Sequence, residues 1–204
     1  GEYGEGDTFL GITVPQLRKL SKGYKSLSIK EIDSLIKSSF HEERLLSLFI
    51  LVLQFQKGTA KTKKEIYQFY LKHISFINNW DLVDSSAEHI IGAYLYNTNK
   101  NLLYTLSKSK NIWERRISIL STFHYIKKNE FDFTFKIAQI LLNDTEDLIH
   151  KAVGWMLREI GKRNLSAEEL FLKKYYHFMP RTMLRYAIEK FDEKKRKLYL
   201  HGKI

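Results

Sequence analysis

The chain has 204 residues, with 34 Lys or Arg against 23 Asp or Glu, so its formal net charge is +11. Its 44% of hydrophobic residues excludes a disordered protein, and no uncharged apolar stretch reaches the roughly 18 residues of a membrane span. Cysteine is absent, which excludes disulfides, thiol nucleophiles and iron–sulfur clusters and fits a reducing cytoplasm.

The chain opens with a glycine-rich segment, residues 1–12, which we predict to be a loop because four of the 10 glycines lie in the first eleven residues. It lacks the preceding strand and the Lys-Ser/Thr ending of a phosphate-binding loop, which excludes that motif. The sequence starts at Gly1 without a Met, and we expect a processed or truncated chain.

From residue 13 onward the pattern is helical almost throughout. Thr13 is a candidate N-cap with Pro15 in the first turn, and Ser28 with Glu31 forms a capping box. No alternating pattern predicts a strand, so the fold class is all-α. Further helices are predicted over residues 41–57, 61–77, 79–96, 99–109, 111–128, 131–143, 146–162, 166–177, 180–190 and 193–201.

The predicted helices come in pairs that recur every 32–38 residues, a period typical of helical repeats. We therefore expect a single HEAT-like α-solenoid domain over residues 1–204, built of antiparallel helix pairs and curved, with a basic concave face. The strongly positive net charge favours a polyanionic partner such as nucleic acid.

Trp80 and Asp84 lie one turn apart at the edge of the apolar stripe of their predicted helix. Asp84 should therefore be partly desolvated beside an indole. Periodicity alone favours a structural role, in which a basic residue of the next hairpin pairs with this carboxylate.

Arg116 projects from the apolar stripe of its predicted helix, where a guanidinium must find an anion or extend to solvent. A ladder of Arg44, Arg116 and Lys151 against neighbouring carboxylates would satisfy it structurally. A phosphate or a catalytic Asp would satisfy it functionally.

Trp155 lies off the core stripe of its helix, between Lys151 and Arg158. An aromatic ring between two cations is typical of a surface that contacts the DNA backbone, although packing on an adjacent hairpin would also explain it. The chain has no pair of His residues at i, i+4, the spacing that would indicate a metal site on a helix. It also has no nucleophile-elbow motif and no dinucleotide-binding motif.

Several stretches resemble the AlkD-type DNA alkylation repair glycosylases, in the same order and over nearly the whole chain. They are Phe9–Pro15 (FLGITVP), Trp80–Asp84 (WDLVD), Ile112–Arg116 (IWERR), Lys151–Glu159 (KAVGWMLRE) and Met179–Arg185 (MPRTMLR). The resemblance implies a HEAT-like enzyme that excises cationic N-alkylated purines, such as 7-methylguanine and 3-methyladenine, from duplex DNA. It also implies no metal and no organic cofactor.

Carried onto this chain, the resemblance implies that Asp84 is the catalytic carboxylate, that Trp80 and Trp155 hold the deoxyribose of the lesion, and that Arg116 is the basic residue nearby. Phosphate contacts are expected from Lys151, Arg158, Arg181 and Arg185. The chain departs from several relatives at Asn79, where they have a second Trp, and at the glycine-rich opening, which replaces helical sequence.

We thus predict a monomeric, monofunctional glycosylase of the base excision repair type, located in the cytoplasm with the nucleoid. One alternative is a DNA-binding module without chemistry. The other is a repeat scaffold that binds a protein partner. A DNA binder should lose affinity steeply as salt rises, because it neutralises phosphates.

Overall fold

The computed structural model describes residues 6–204, and all of the regular elements in this range are helices. No strand occurs there, and one isolated bridge joins Thr8 to Phe40. The chain divides into two compact units, the first ending at Thr98 and the second starting at Asn99. The all-α class is confirmed, whereas the single domain over residues 1–204, its curvature and its basic concave face stay predictions.

The first unit is built around α3, whose buried side chains include Leu45 and Phe49. The predicted caps are confirmed, with Thr13 before α1 and Ser28 bonded to Glu31 at the start of α2. Its helices are α1 (Val14–Gly23), α2 (Ile29–Ile36), α3 (His41–Lys57), α4 (Ala60–Lys72), α5 (Trp80–Asp84) and α6 (Ala93–Leu95), with a 3₁₀ turn at Ile74–Phe76 and a π-helical turn at Glu88–Gly92.

Residues 6–12 are a loop, as predicted, while residues 1–5 of the predicted loop lie outside the described residues. Glu42 holds this loop on α3, since its carboxylate accepts hydrogen bonds from the backbone N–H groups of Leu10, Gly11 and Ile12 at 2.9, 2.8 and 3.3 Å. Gly11 has a φ of 77°, a conformation that favours glycine and lets these N–H groups converge. The loop is therefore fixed to the unit that carries α5.

The second unit has α11 at its centre, with Ile149, Val153, Met156 and Ile160 fully buried. Its helices are α7 (Asn101–Ser107), α8 (Ile112–Ser121), α9 (Phe123–Ile126), α10 (Asp132–Ile140), α11 (Asp147–Gly161), α12 (Leu165–Tyr175), α13 (Arg181–Ala187) and α14 (Glu193–Leu200), with 3₁₀ turns at Leu141–Asn143, Tyr176–Phe178 and Ile188–Lys190. Among the helices of the described chain, none is long and apolar enough to cross a membrane.

Two of the predicted helices are interrupted at hydroxyl side chains. The helix predicted over 79–96 breaks after Asp84, where Ser85 and Ser86 both donate to the Leu82 carbonyl, at 3.3 and 2.5 Å. The helix predicted over 111–128 breaks at Thr122, whose hydroxyl donates to the Ile119 carbonyl at 2.7 Å. Side chains that bond back to preceding carbonyls compete with the helical ladder, which explains both breaks.

An arginine with the same contacts recurs in the two units. Arg44 donates to the carbonyls five and six residues before it and pairs with Asp7 at 2.5 Å. In the second unit Arg115 makes the same backbone bonds and pairs with Asp144 at 2.6 Å, while the ladder of Arg44, Arg116 and Lys151 stays a prediction. Each guanidinium closes the turn before its helix, so this arginine has a structural role.

Candidate active site

A groove of about 260 Å³ opens between α1, α3 and α5 of the first unit. Most of its walls are apolar, and three charged side chains, two carboxylates and a guanidinium, also line it. We call it the Trp80 groove. It is lined by Val14, Arg18, Leu45, Phe49, Trp80, Asp81, Asp84 and Ser85.

Trp80 and Asp84 are the first and last residues of α5, and both line the Trp80 groove. Trp80 is 43% exposed, unusually open for an indole, and Asp84 is half-buried. Because the two residues are four apart on a helix, their side chains occupy one strip. The arrangement gives a carboxylate beside an exposed aromatic face at the edge of an apolar groove.

The position of α5 is fixed by Asn79, the residue that precedes it. The Asn79 side chain accepts a hydrogen bond from the Trp80 backbone N–H at 2.7 Å, and so caps the helix. Its amide group donates to Asp7 at 2.8 Å. Asn79 therefore ties the N-terminal loop to the candidate site.

A buried histidine forms a second link to α5. His41, at the start of α3, is 4% exposed and lies between two carboxylates, with Nδ1 3.0 Å from Asp7 and Nε2 2.7 Å from Asp81. Burial alone would lower the pKa of His41, but Asp81 and Asp7 together raise it above its ordinary value. The two carboxylates thus favour the protonated ring, in which both nitrogens donate.

Asp7 balances the charges of this cluster. Burial acts to raise the pKa of Asp7, but hydrogen bonds from Asn79 and Arg44, the Arg44 charge and a bond from His41 bring the pKa below its ordinary range. Asp7, Asp81, His41 and Arg44 form a charge-balanced layer next to α5, since two carboxylates face two cations.

Tyr70, on α4, is fully buried and bonded to the Ser86 hydroxyl at 3.0 Å. Burial raises the pKa of Tyr70, and the Asp84 charge raises it further. The phenol therefore stays neutral, within electrostatic reach of the Asp84 carboxylate.

In the second unit Trp155 is half-buried on α11. Its ring centroid lies 5.9 Å from that of Phe123, and its indole N–H donates to Glu159 at 3.3 Å. Glu159 also accepts from Lys162 at 2.5 Å and Arg163 at 3.1 Å. The packing that the sequence left open is thus present, and it fixes the orientation of the indole.

Arg116 is 4% exposed, and its guanidinium donates to the Leu148 carbonyl at the start of α11 at 2.5 Å. This bond links α8 to the helix that carries Trp155. Gly154, beside Trp155, packs against α13 so closely that a Cβ would approach the Cβ of Tyr186 to 2.5 Å. Both contacts position α11 within the second unit.

The cations expected to bind phosphate differ in their surroundings. Lys151 pairs with Asp147 at 2.7 Å, and Arg158 pairs with Glu189. Arg181 donates to the Leu200 carbonyl at 2.5 Å. Arg185 is exposed on α13.

The DNA alkylation repair enzyme family model matches residues 2–191. The chain belongs to this family. The resemblance inferred from the sequence is therefore confirmed. The family is described as DNA alkylation repair enzymes. No curated protein matches the chain.

Solved structures of similar proteins share the fold. A predicted DNA alkylation repair enzyme from Enterococcus faecalis is 17% identical over 94% of this chain and 92% of its own, with a TM-score of 0.71. AlkD2 from Streptococcus mutans is 19% identical over 90% and 92%, with a TM-score of 0.61. The protein smu.31 from Streptococcus mutans UA159 is 19% identical over 88% and 93%, with a TM-score of 0.60.

The structure thus brings Trp80 and Asp84 together in one unit and connects Arg116 to the helix of Trp155 in the other. The meeting of all four residues in one site stays a prediction. Arg18 was not predicted from the sequence as a site residue, and neither was the cluster of Asp7, His41, Arg44 and Asp81 beside α5. No group of three or more His, Asp or Glu in the described range could hold a metal ion.

Proposed function

We propose that this member of the DNA alkylation repair enzyme family is a monofunctional glycosylase. It hydrolyses the N-glycosidic bond of cationic N-alkylated purines, such as 7-methylguanine and 3-methyladenine, in duplex DNA. The observation that carries the proposal is the half-buried Asp84 beside the exposed Trp80 in a largely apolar groove.

A single carboxylate suffices for this reaction because of the charge on the leaving base. Most glycoside hydrolases need a second carboxylic acid to protonate the leaving group. An N7- or N3-alkylated purine already carries a positive charge and departs as a neutral base. The remaining task is to stabilise the positive charge that develops on the deoxyribose.

Asp84 would perform that task. At about 4 Å and an effective dielectric constant of about 20, a carboxylate stabilises a unit positive charge by roughly 4 kcal/mol. Realised only in the transition state, this corresponds to about a thousandfold in rate. The carboxylate also positions the water that attacks C1′.

The indoles supply the rest of the site. The exposed face of Trp80 would hold the sugar, and aromatic faces attract a cationic centre. Trp155 would form the second wall, with Arg116 next to it. Arg185, Arg181, Lys151 and Arg158 would contact phosphates, and Lys151 and Arg158 would exchange their present carboxylate partners for phosphate oxygens.

The test is base release from two matched duplexes, one with 7-methylguanine and one with hypoxanthine, which is neutral. We expect release of free 7-methylguanine above the spontaneous rate, little release of hypoxanthine, and no strand cleavage. Equal release of both bases would contradict the charge argument. Tight, salt-sensitive binding with no release would favour the DNA-binding alternative instead.

A further inference from the structure

The Trp80 groove holds a cation, Arg18, that the function proposed above does not use. Arg18 lies one turn after Val14 on α1, and both line the groove that holds Asp84. The side chain is exposed. Its guanidinium carbon lies 4.3 Å from the centroid of the Phe49 ring, a cation–π contact that orients it at the groove wall.

Arg18 differs from the structural arginines of the chain. Arg44 and Arg115 are held by carboxylates and by backbone carbonyls of their own turns. Within residues 6–204 no carboxylate lies within ion-pair distance of Arg18. The guanidinium is therefore oriented by an aromatic ring while its N–H donors remain available to a ligand.

The chemistry of DNA indicates what that ligand is. A sugar placed against Asp84 brings its two flanking phosphates with it, and the carboxylate repels both. A cation in the same groove offsets this repulsion, and the planar fork of arginine matches two phosphate oxygens at once. With about 260 Å³, the groove is below the roughly 300–1,000 Å³ of pockets that enclose a whole drug-sized ligand, which fits a sugar with its phosphates outside.

We propose that Arg18 binds a phosphate that flanks the damaged nucleotide and thereby holds the deoxyribose over Asp84. This inference rests on the proposed function, because it assigns the substrate contact of the same groove. Arg18 is then a substrate-binding residue of the reaction, and Phe49 is the positioning residue that orients it.

The experiment combines protein variants with DNA that lacks single charges. Base release is measured in single turnover for wild type, Arg18→Ala and Arg18→Lys. Lys19→Ala is the matched control, since Lys19 is also exposed on α1 but lines a different cavity with Gln16 and Leu20. Each duplex carries 7-methylguanine, with either flanking phosphate replaced in turn by a neutral methylphosphonate.

Arg18→Ala should slow release about tenfold, the loss expected of one charge-assisted hydrogen bond, and Lys19→Ala less than twofold. Arg18→Lys should recover part of the rate. One of the two neutral linkages should slow base release by wild type about tenfold. The same linkage should not slow release by Arg18→Ala any further, because the two changes remove the same contact. Additive losses at both linkages would overturn the proposal, as would equal rates for Arg18→Ala and Lys19→Ala.

A failure of the proposed function is distinguishable from a failure of this inference. If wild type releases no base, the same variants and duplexes are compared by equilibrium binding at several salt concentrations. We then expect that Arg18→Ala and one of the neutral linkages cause non-additive losses of DNA affinity. Additive losses at both linkages would still overturn the role of Arg18.

Discussion

Asp7 of the first unit and Glu168 of the second unit are two acids that are stabilised in opposite charge states. In the first unit Asp7 lies within a cluster that supplies a histidine, an arginine and an amide to its two oxygens. In the second unit Glu168 is 1% exposed on α12, and within the described residues its Oε1 has no hydrogen-bond partner. One carboxyl is stabilised in its charged form and the other in its neutral form.

The pKa values of the two acids follow this difference. Partners bring the pKa of Asp7 below its ordinary range, whereas burial, together with the nearby Glu169 charge, raises the pKa of Glu168 to about 9. Since the Asp7 cluster contacts α5, charge balance in the first unit serves the candidate site. In the second unit the neutral carboxyl packs against Gly161 and serves the core.

The largest effect on stability is expected from breaking the balanced cluster. Asp7→Ala leaves His41 and Arg44 buried without their shared acid, and we expect a loss of about 3 kcal/mol in the free energy of unfolding. Urea titration measures it. Glu193→Ala is the control, because its exposed pair with Arg196 should contribute less than about 0.5 kcal/mol. A loss below 1 kcal/mol for Asp7→Ala would contradict the claim that Asp7 stabilises the charges of His41 and Arg44.

Replacing Glu168 by a neutral residue should raise the free energy of unfolding, whereas Asp7→Ala lowers it. Between about pH 4.5 and 9 the native state holds a proton on Glu168 that the unfolded chain releases, so stability falls as pH rises through this window. Glu168→Gln stays neutral, and we expect it to stabilise the protein by about 2–4 kcal/mol at pH 8 and hardly at all at pH 4.

Unfolding curves from pH 4 to 9 test this prediction. His41, with its raised pKa, contributes stability that is full below about pH 6.5 and is lost as pH rises further. The free energy of unfolding of Glu168→Gln should therefore still fall as pH rises above 6.5, but less steeply than that of wild type. Parallel curves for the variant and wild type would mean that Glu168 is charged in the native state.

The two indoles, Trp80 and Trp155, should also differ in how much each contributes to stability, by a smaller amount. Trp155→Ala should cost about 2 kcal/mol of stability, part of the loss for a fully buried Trp, because its ring contacts Phe123 and its N–H bonds to Glu159. Trp80→Ala should cost less than about 1 kcal/mol, as its side chain is largely open. Both should slow release of 7-methylguanine more than they weaken binding to undamaged DNA.

Thermal unfolding, followed by release assays below both transitions, separates the two roles. A Trp80→Ala protein that unfolds as early as Trp155→Ala would mean that Trp80 is a core residue. Equal losses of release and of undamaged-DNA binding would make either indole a general DNA contact.

Local patterns predicted much of the fold. The caps at Thr13 and Ser28 depend on neighbours three residues apart, and α3 starts and ends at the predicted residues, His41 and Lys57. The breaks after Asp84 and at Thr122 could not be predicted, since they depend on which rotamer each hydroxyl adopts against a preceding carbonyl.

The candidate site was predictable only in part. Trp80 and Asp84 are one turn apart, so helical geometry alone places them on one strip. Arg18 shares their groove from a helix that is some 60 residues earlier, and Asp7 reaches Asn79 over 72 residues. Contacts of this kind have no local pattern, and they arise only when α1, α3 and α5 pack together.

The most direct test of the central claim is the single-turnover rate of 7-methylguanine release by Asp84→Asn, with Ser85→Ala as the control from the same groove. The amide keeps the size of the carboxylate and loses its charge. We predict a rate about a thousandfold below wild type, with unchanged affinity for undamaged duplex and a near-normal rate for Ser85→Ala. Release by Asp84→Asn at the wild-type rate would contradict the account.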